Sequence, residues 1–176
     1  MSRFKGKRII TTGATRGVGF EAAKLDILAN NAAIQTYKQD WFDEGLDLLD
    51  HQWRCNVFAP HELIFRLVPL LDMGVEPRII NASSGAGNAA ALQASSDMPT
   101  YRLTKYAVGG ITQLWAGTLR GRIAVNALDP GWLKTDLGSP NAPGEPADGG
   151  QRMWEICSLP WSESGKFWYG NKEISF

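Results

Sequence analysis

The sequence has few of the residues that build disulfide frameworks or metal centres. Its 176 residues include 2 cysteines and 2 histidines, and Cys55 and Cys157 lie far apart in the chain. This usage argues against a disulfide-stabilised scaffold and is ordinary for reduced thiols in a cytosolic protein. His51 and His61 lack the neighbouring cysteines or carboxylates of a zinc site. We therefore expect no bound metal.

The chain also lacks an excess of charge of either sign and a long apolar run. Its 18 basic residues balance 18 acidic residues, for a formal net charge of +0. Nothing in this balance favours binding to nucleic acid or to an anionic membrane. No run approaches the roughly 18 apolar residues of a membrane span, and residues 1–8 lack the apolar core of a signal peptide. We therefore expect a cytoplasmic location.

A glycine-rich segment is the first feature that indicates a ligand. The run Ile9-Ile10-Thr11 precedes Thr12-Gly-Ala-Thr-Arg-Gly-Val-Gly19, and residues 20–24 are compatible with a helix. In this order the glycines let backbone approach a pyrophosphate, and the helix N-terminus offers it free N–H groups. An ordinary tight turn is the alternative. The strand before the turn and the helix after it favour nucleotide binding.

Tyr101 and Lys105 form a second candidate site on a predicted helix. Because they are four residues apart, their side chains share one face. A phenol titrates near pH 10, and a cation within about 4–6 Å lowers its pKa. Such a tyrosine can donate a proton to a carbonyl oxygen while a hydride reaches the carbonyl carbon. Taken alone, such a pair could be two solvated surface neighbours. The evidence that it is catalytic comes from the other motifs.

Several motifs in one order resemble the motif set of the short-chain dehydrogenase/reductase family, and they extend from residue 9 to about 138. They are the glycine-rich segment, Asn30-Asn31-Ala32-Ala33, Asn56, Ser83-Ser84, Tyr101 with Lys105, and Pro130-Gly131. The resemblance implies an α/β fold with a doubly wound, Rossmann-like parallel sheet. It also implies a single NAD(P)-binding domain over residues 1–176. The tail from Gly165 is similar to that of carbonyl-reductase-like members.

The resemblance assigns roles to individual residues. Tyr101 is implied to be the general acid or base, Ser84 to hydrogen-bond the substrate oxygen, and Lys105 to lower the pKa of Tyr101 and bind the nicotinamide ribose. The resemblance assigns this role to Ser84 rather than to Ser83. For each serine the alternative is a hydroxyl at a strand end that hydrogen-bonds only the local backbone. Asn56 completes the catalytic set. The residues implied to bind the cofactor are Gly13, Thr15, Arg16, Gly17, Val18, Gly19, Asn30, Ala32, Tyr101, Lys105, Pro130, Gly131 and Thr135.

Asn56 also has an argument from helix geometry. Pro60 lies four residues later and has no N–H, so the Asn56 carbonyl loses its intrahelical donor and the helix should kink. A free carbonyl can hold a water. That water could connect Lys105 to solvent as a proton relay, which is the role that the resemblance implies. A proline kink that serves packing alone is the alternative.

Arg16 bears on the choice of cofactor. A guanidinium beside the phosphate-binding glycines can pair bidentately with a phosphate, and in similar reductases a basic residue there accompanies NADPH. A surface cation without such a role is the alternative. We expect NADP(H) to be preferred, with NAD(H) also accepted.

The chain departs from the family pattern between Lys24 and Leu25. Similar reductases have a β-α-β segment there, which supplies the second and third strands and cradles the adenosine. Because parallel crossovers are right-handed, joining strand one directly to the strand that ends at Asn30 would move the intervening helix to the other face. We expect the functional polypeptide to contain this segment. The alternatives are a catalytically silent nucleotide-binding or scaffold protein, and a truncated fragment.

Periodicity and turn signals predict the remaining elements. Strands are expected over 8–12, 25–29, 78–82, 122–128 and 167–169, and helices over about 48–72, 99–119 and 151–159, with a loop over 130–150. The predicted function is an NADPH-preferring oxidoreductase that reduces a small carbonyl compound to an alcohol, or the reverse. The natural substrate, the direction of the reaction and the presence of a homo-oligomer are left open.

Overall fold

The computed structural model describes residues 6–12, 25–36 and 41–176. Within these ranges, a 6-stranded sheet has the order β1-β2-β3-β4-β5-β6. Its first five strands are parallel and the last is antiparallel to its neighbour. They are β1 (Ile9–Thr11), β2 (Ile27–Asn30), β3 (Arg78–Ala82), β4 (Ala124–Leu128), β5 (Phe167–Tyr169) and β6 (Lys172–Ile174). The predicted α/β fold with a mostly parallel sheet is confirmed.

In the described part of the chain, helices connect β2 to β3, β3 to β4 and β4 to β5. They are α1 (Trp41–Trp53), a π-helical turn (Arg54–Phe58), α2 (Ala59–Leu71), α3 (Ala89–Ala94), α4 (Pro99–Thr118) and α5 (Pro146–Cys157). A single 3-10 turn (Gly85–Gly87) follows β3. None of the helices in the described ranges is long and apolar enough to cross a membrane. Cys55 and Cys157 are both free thiols.

Different helices cover the two faces of the sheet. Residues that alternate along β2, β3 and β4 point to opposite faces, as the pleat of a strand requires. One face packs against α2 and α4 through Leu25, Leu28, Ile64, Leu67, Leu71, Ile79, Ala116, Leu119, Ile123 and Val125. The other face packs against α5 through Ile27, Ile80, Leu128, Ile156, Cys157 and Trp168. Each large apolar side chain buried in this way contributes about 1.5–3 kcal/mol.

Strand β1 is held at the edge of the described sheet by a buried carboxylate. Asp26 accepts hydrogen bonds from the backbone N–H groups of Arg8 (2.8 Å) and Val75 (2.7 Å). Burial raises the pKa of Asp26, but these two N–H donors and the charges of Lys7 and Arg8 outweigh it, so the pKa is lowered overall. β1 pairs directly with β2. The residues that connect them, 13–24, lie outside the described ranges, and a longer polypeptide stays a prediction.

Helix α5 begins at Pro146, inside the segment predicted to be a loop. Proline at the first helical position needs no hydrogen-bond acceptor. Glu145 and Asp148 form a capping box, in which each side chain accepts from the other residue's backbone N–H. The prediction of a loop through Gly150 was wrong, because proline and glycine content was weighed above this capping signal.

Strand β6 was not predicted. Gly170 has a φ of 61°, a left-handed conformation that glycine adopts without strain. Gly170-Asn171 therefore forms a two-residue hairpin turn, and Tyr169 pairs with Lys172 across it. A Gly-Asn pair between two short apolar-containing runs was the available signal.

Candidate active site

The carboxyl ends of β1 to β4 meet at one edge of the sheet, where the sequence-predicted residues are concentrated. The Thr12 hydroxyl at the end of β1 accepts from the backbone N–H groups of Asn31 and Ala32, both at 3.0 Å. The start of the glycine-rich segment therefore lies beside the end of β2. Six predicted cofactor residues lie outside the described ranges, namely Gly13, Thr15, Arg16, Gly17, Val18 and Gly19.

Tyr101 and Lys105 lie in the first part of α4, against the end of β3. Tyr101 is 7% exposed and Lys105 is 3% exposed, so they are not solvated surface neighbours. The Lys105 ammonium lies 5.6 Å from the centroid of the Tyr101 ring. It donates a hydrogen bond of 2.8 Å to the backbone carbonyl of Ala82. The helix thus brings a cation and a phenol together inside the protein.

Burial has a strong effect on Lys105. Desolvation of its ammonium lowers the pKa from 10.5 to about 8, and the charge of Asp129 opposes this shift. Asp129 follows β4, and its carboxylate accepts from the backbone N–H groups of Gly85 (3.0 Å) and Gly131 (2.9 Å). Asp129 therefore links the loops after β3 and β4 as well as acting on Lys105. Sequence reasoning missed this residue, although a carboxylate at a strand end beside Pro130-Gly131 was a usable signal.

Ser83 and Ser84 differ in what their hydroxyl groups contact. Ser83 is buried, and its hydroxyl donates to the backbone carbonyl of Lys105 at 2.8 Å. Ser84 is half-buried, and its oxygen accepts from the Ala86 N–H at 3.2 Å. Within the described ranges the Ser84 hydroxyl proton has no acceptor. Ser84 can therefore donate a hydrogen bond to a ligand, whereas Ser83 is engaged in holding α4.

Gly87 allows the loop after β3 to approach α4 very closely. A Cβ at this position would lie 2.6 Å from the backbone carbon and the Cβ of Lys105, and 2.7 Å from the Tyr106 nitrogen. These are main-chain neighbours of a long helix and cannot move individually. We expect Gly87→Ala to lower the free energy of unfolding by about 2–3 kcal/mol, because it forces the loop and helix apart. Chemical denaturation measures this change.

Gly110 provides the matched control for Gly87. It lies in α4 with no atom within 4 Å of an added Cβ. Gly110→Ala should leave the fold intact and stabilise it by up to about 1 kcal/mol, since alanine is the better helix former. Equal unfolding free energies for the Gly87→Ala variant and the unmodified protein would contradict the close packing described here.

Asn56 lies in the π-helical turn that precedes Pro60. The wide turn is visible in the Ala59 N–H, which donates to the Arg54 carbonyl five residues earlier. The Asn56 side chain is 1% exposed: its oxygen accepts from Ile34 N–H (2.8 Å), and its nitrogen donates to Ile34 O (2.9 Å) and Thr104 Oγ1 (3.1 Å). The amide thus ties the segment after β2 to α4.

Asn30 belongs to a buried line of polar side chains. Its amide nitrogen donates to Asn81 Oδ1 (2.9 Å), and the Asn81 amide donates to Thr112 Oγ1 (3.0 Å) in α4. The Asn30 side-chain oxygen is buried and has no hydrogen-bond partner in the structure described. Asn30 therefore joins β2, β3 and α4 at the same edge as Tyr101, and it has an acceptor left unused.

The residues after β4 form an exposed arm of the site. Gly131 has a φ of 86°, and the Pro130 carbonyl accepts from Arg152 at 2.5 Å. Thr135 is exposed, and its hydroxyl accepts from Gly138 N–H at 3.0 Å. Among the described residues, no hydrogen bond connects Thr135 with Tyr101 or Lys105. The contacts of Asn56 with Thr104, and of the loop after β3 with Lys105, place Asn56 and Ser84 beside the start of α4, where Tyr101 and Lys105 lie.

The chain belongs to the short-chain dehydrogenase family, whose model matches residues 21–146. Among curated proteins it is similar to carbonyl reductase [NADPH] 1 of Sus scrofa, with 25% identity over 189 aligned positions. That alignment covers 82% of this chain and 64% of the pig protein. The chain therefore spans less than two thirds of the length of this relative.

Among solved structures, the chain is also similar to carbonyl reductases. The carbonyl reductase Sniffer of D. melanogaster superimposes with a TM-score of 0.80 and 27% identity, covering 88% of this chain and 67% of the fly chain. The NADPH-bound carbonyl reductase from chicken fatty liver superimposes with a TM-score of 0.77 and 25% identity, covering 99% of this chain and 68% of the chicken chain. The predicted resemblance to carbonyl-reductase-like members of the family is confirmed.

Proposed function

We propose that this protein is an NADPH-preferring oxidoreductase that reduces a carbonyl compound to an alcohol, or catalyses the reverse reaction. The observation that carries the proposal is the buried Lys105 ammonium, 5.6 Å from the Tyr101 ring at the carboxyl edge of the sheet. Membership of the family and the similarity to carbonyl reductases, one of them bound to NADPH, support the same conclusion.

The donors of Lys105 fit the ribose of a nicotinamide cofactor. An ammonium has three N–H donors. In the described part of the chain Lys105 has one hydrogen-bond acceptor, the Ala82 carbonyl. Because the residue is 3% exposed, its other donors need partners inside the site. The hydroxyls of a ribose would provide them. When bound, the reduced nicotinamide supplies a hydride to the carbonyl carbon.

The proposed division of work follows from the side chains. Tyr101 gives its phenolic proton to the carbonyl oxygen as negative charge develops there. Lys105 favours the phenolate that remains, because a nearby cation lowers the pKa of a phenol. Ser84 donates its hydroxyl proton to the same carbonyl oxygen and holds it in place.

We propose that the backbone carbonyl of Asn56 helps to reprotonate Tyr101 after each reaction. Pro60 has no N–H, so this carbonyl has no donor four residues later. A water bound there would link Lys105 to solvent and reprotonate Tyr101 after each turnover. The Asn56 side chain keeps the turn in position through its contacts with Ile34 and Thr104.

The remaining cofactor residues are proposed from the motifs. Arg16 and the glycines from Gly13 to Gly19 would bind the phosphates, and Asn30 and Ala32 would lie along the adenosine side. Pro130, Gly131 and Thr135 would lie along the nicotinamide side. We propose that residues 1–176 form one NAD(P)-binding domain of a cytoplasmic protein whose partner is a small carbonyl or alcohol substrate.

Cofactor choice provides the test of this proposal. Catalytic efficiency with NADPH and NADH is measured over a panel of carbonyl compounds, with the intact mass of the purified protein determined alongside. We expect NADPH to be favoured by about tenfold or more, since a charge-assisted contact to a phosphate contributes about 1.5–3 kcal/mol. Arg16→Ala should remove most of this preference.

Arg54→Ala is the matched control for Arg16. Arg54 is exposed and pairs with Asp50, four residues earlier in the chain, so its loss should leave the cofactor preference unchanged. Equal efficiency with both cofactors in the unmodified protein would remove the argument for NADPH. If the protein bound the cofactor but turned over no carbonyl compound, the proposal of an enzyme would be wrong, and a nucleotide-binding protein would be the better assignment.

A further inference from the structure

Helix α4 begins without a cap from its own sequence. Met98 occupies the N-cap position in a left-handed conformation (φ 49°, ψ 49°), and its side chain makes no capping hydrogen bond. Pro99, at the first helical position, has no N–H. The first donor of the helix that needs an acceptor is therefore the Thr100 N–H, one residue before Tyr101.

The missing acceptor comes from Glu44, which directly precedes a break in α1 at Gly45 (φ 65°). Glu44 of α1 is 4% exposed, and its Oε2 accepts from the Thr100 N–H at 3.1 Å. Its Oε1 accepts from the Thr36 hydroxyl at 3.4 Å. No lysine, arginine or histidine of the described ranges forms an ion pair with Glu44. A buried carboxylate without a cation is costly, and the positive end of α4 is what offsets that cost here.

The carboxylate is part of a larger buried polar cluster. Gln52 of α1 donates to the Thr36 hydroxyl at 2.9 Å, so Thr36 links Gln52 with Glu44. Two atoms of the cluster, Gln52 Oε1 and Thr100 Oγ1, are buried with no hydrogen-bond partner in the structure described, and both residues are 0% exposed. Such a cluster is less stable than apolar packing. Its position beside the turn that carries Tyr101 points to a geometric role.

We propose that Glu44 is a positioning residue for the reaction: it caps α4 from outside the helix and fixes the turn that presents the Tyr101 phenol. This inference rests on the proposed function, in which Tyr101 donates the proton. Without the Glu44 oxygen, the Thr100 N–H loses its acceptor and the first turn frays. The phenol then occupies its productive position for a smaller fraction of the time, and small displacements of a proton donor are costly to rate.

Two substitutions at Glu44 distinguish the effect of its oxygen acceptor from the effect of its negative charge. Glu44→Ala removes the acceptor, whereas Glu44→Gln keeps an oxygen of the same reach. The control is Glu62→Ala, because Glu62 is an exposed glutamate of α2 that pairs with Arg66. Amide hydrogen exchange of residues 100–106 and 108–118 reports on the helix, and kcat and KM for NADPH report on the reaction.

For Glu44→Ala we expect exchange over residues 100–106 to rise by roughly tenfold while residues 108–118 keep their protection. We expect kcat to fall by roughly tenfold or more, with KM for NADPH changed by less than about threefold. Glu44→Gln should restore both properties to within about threefold of the unmodified protein, and Glu62→Ala should change neither.

Unchanged exchange at the start of α4 in Glu44→Ala would overturn the inference, as would equal loss of kcat in the alanine and glutamine variants. If Glu44→Ala does not fold, Glu44→Asp replaces it, because aspartate keeps the charge but its carboxylate reaches one methylene less far. The aspartate variant should then show the loss of protection and of kcat expected for the alanine variant. Activity that is retained in Glu44→Asp but lost in Glu44→Gln would also overturn the inference.

The proposed function has a separate outcome. Absence of turnover in the unmodified protein would refute the proposed function, and hydrogen exchange would still decide whether Glu44 caps the helix.

Discussion

Replacing Tyr101 by phenylalanine should reduce kcat by about 10²–10⁴-fold, the range over which a positioned acid or base contributes to catalysis. The substitution keeps the ring, which is 7% exposed, and removes only the phenolic oxygen. The carbonyl oxygen then receives no proton as its negative charge develops. NADPH binding should persist, because Lys105 and the glycine-rich segment are unchanged. Steady-state turnover, together with titration of NADPH by fluorescence, measures both properties.

Tyr106→Phe is the matched control for this experiment. Tyr106 lies on the same helix but is 47% exposed, so its phenol faces solvent rather than the site. Its replacement should leave kcat within about twofold of the unmodified protein, as expected for a surface position. Turnover retained by Tyr101→Phe at the level of this control would refute a tyrosine acid and, with it, the proposed reaction.

Lys105→Met should abolish turnover and yet stabilise the fold at pH 7. A pKa of about 8 in place of 10.5 means that the buried ammonium is disfavoured relative to its unfolded state, by on the order of 3 kcal/mol. Methionine has a similar length and carries no charge. Loss of the hydrogen bond to the Ala82 carbonyl offsets about 1 kcal/mol of the gain. We expect a net increase of about 1–2 kcal/mol in the free energy of unfolding, measured by chemical denaturation.

The sign of the pH dependence gives a second measurement on the same variant. Between pH 8 and 10.5 the folded protein releases the Lys105 proton, whereas the unfolded chain still holds it. The unfolded state then binds more protons, so the contribution of Lys105 to stability rises with pH across this window and is least favourable below it. Lys105→Met should lack this rise.

Lys134→Met serves as the control for Lys105→Met, since Lys134 is exposed and pairs with Glu145. It should leave the pH dependence of stability unchanged. A Lys105→Met variant that is less stable at pH 7 and keeps the rise above pH 8 would contradict the burial cost assigned to Lys105.

The parts of the fold with strong local signals were predictable from the sequence. β3 has its predicted bounds, Arg78–Ala82, and α4 begins at Pro99 as predicted and ends one residue early. Both follow from local patterns, a short apolar run and a proline at the first helical position. The juxtaposition of Tyr101 and Lys105 follows from helix spacing alone. Their burial does not, because it depends on the loop after β3 that closes over them.

The polar groups that surround the pair were not predictable in the same way. Sequence reasoning expects a glutamate such as Glu44 at the surface. Glu44 is buried because the start of α4 packs against α1. The N–H of Thr100, 56 residues later in the chain, needs an acceptor there. Asp129 has a local signal, because it lies at a strand end, but its effect on Lys105 arises only when two strand ends lie side by side. Such contacts between distant segments carry no periodicity and no spacing.

The side chain of Asn56 shows the same limit. The absence of an N–H at Pro60 predicts an irregular helix, and the structure has a π-helical turn at Arg54–Phe58. The three hydrogen bonds of the Asn56 amide to Ile34 and Thr104 could not be predicted, because they depend on where the segment after β2 passes.

The contacts of Ser83 and Gly87 with the backbone of Lys105 also bear on how this scaffold could be diversified. Residues 83–87 and the first half of α4 are coupled so tightly that new side chains between them would displace Tyr101, the proposed proton donor. Libraries aimed at a different substrate range therefore belong in residues 89–96, which follow this segment and are all exposed or half-buried. None of these residues belongs to the proposed catalytic or cofactor-binding set, so they can be randomised while that set is kept.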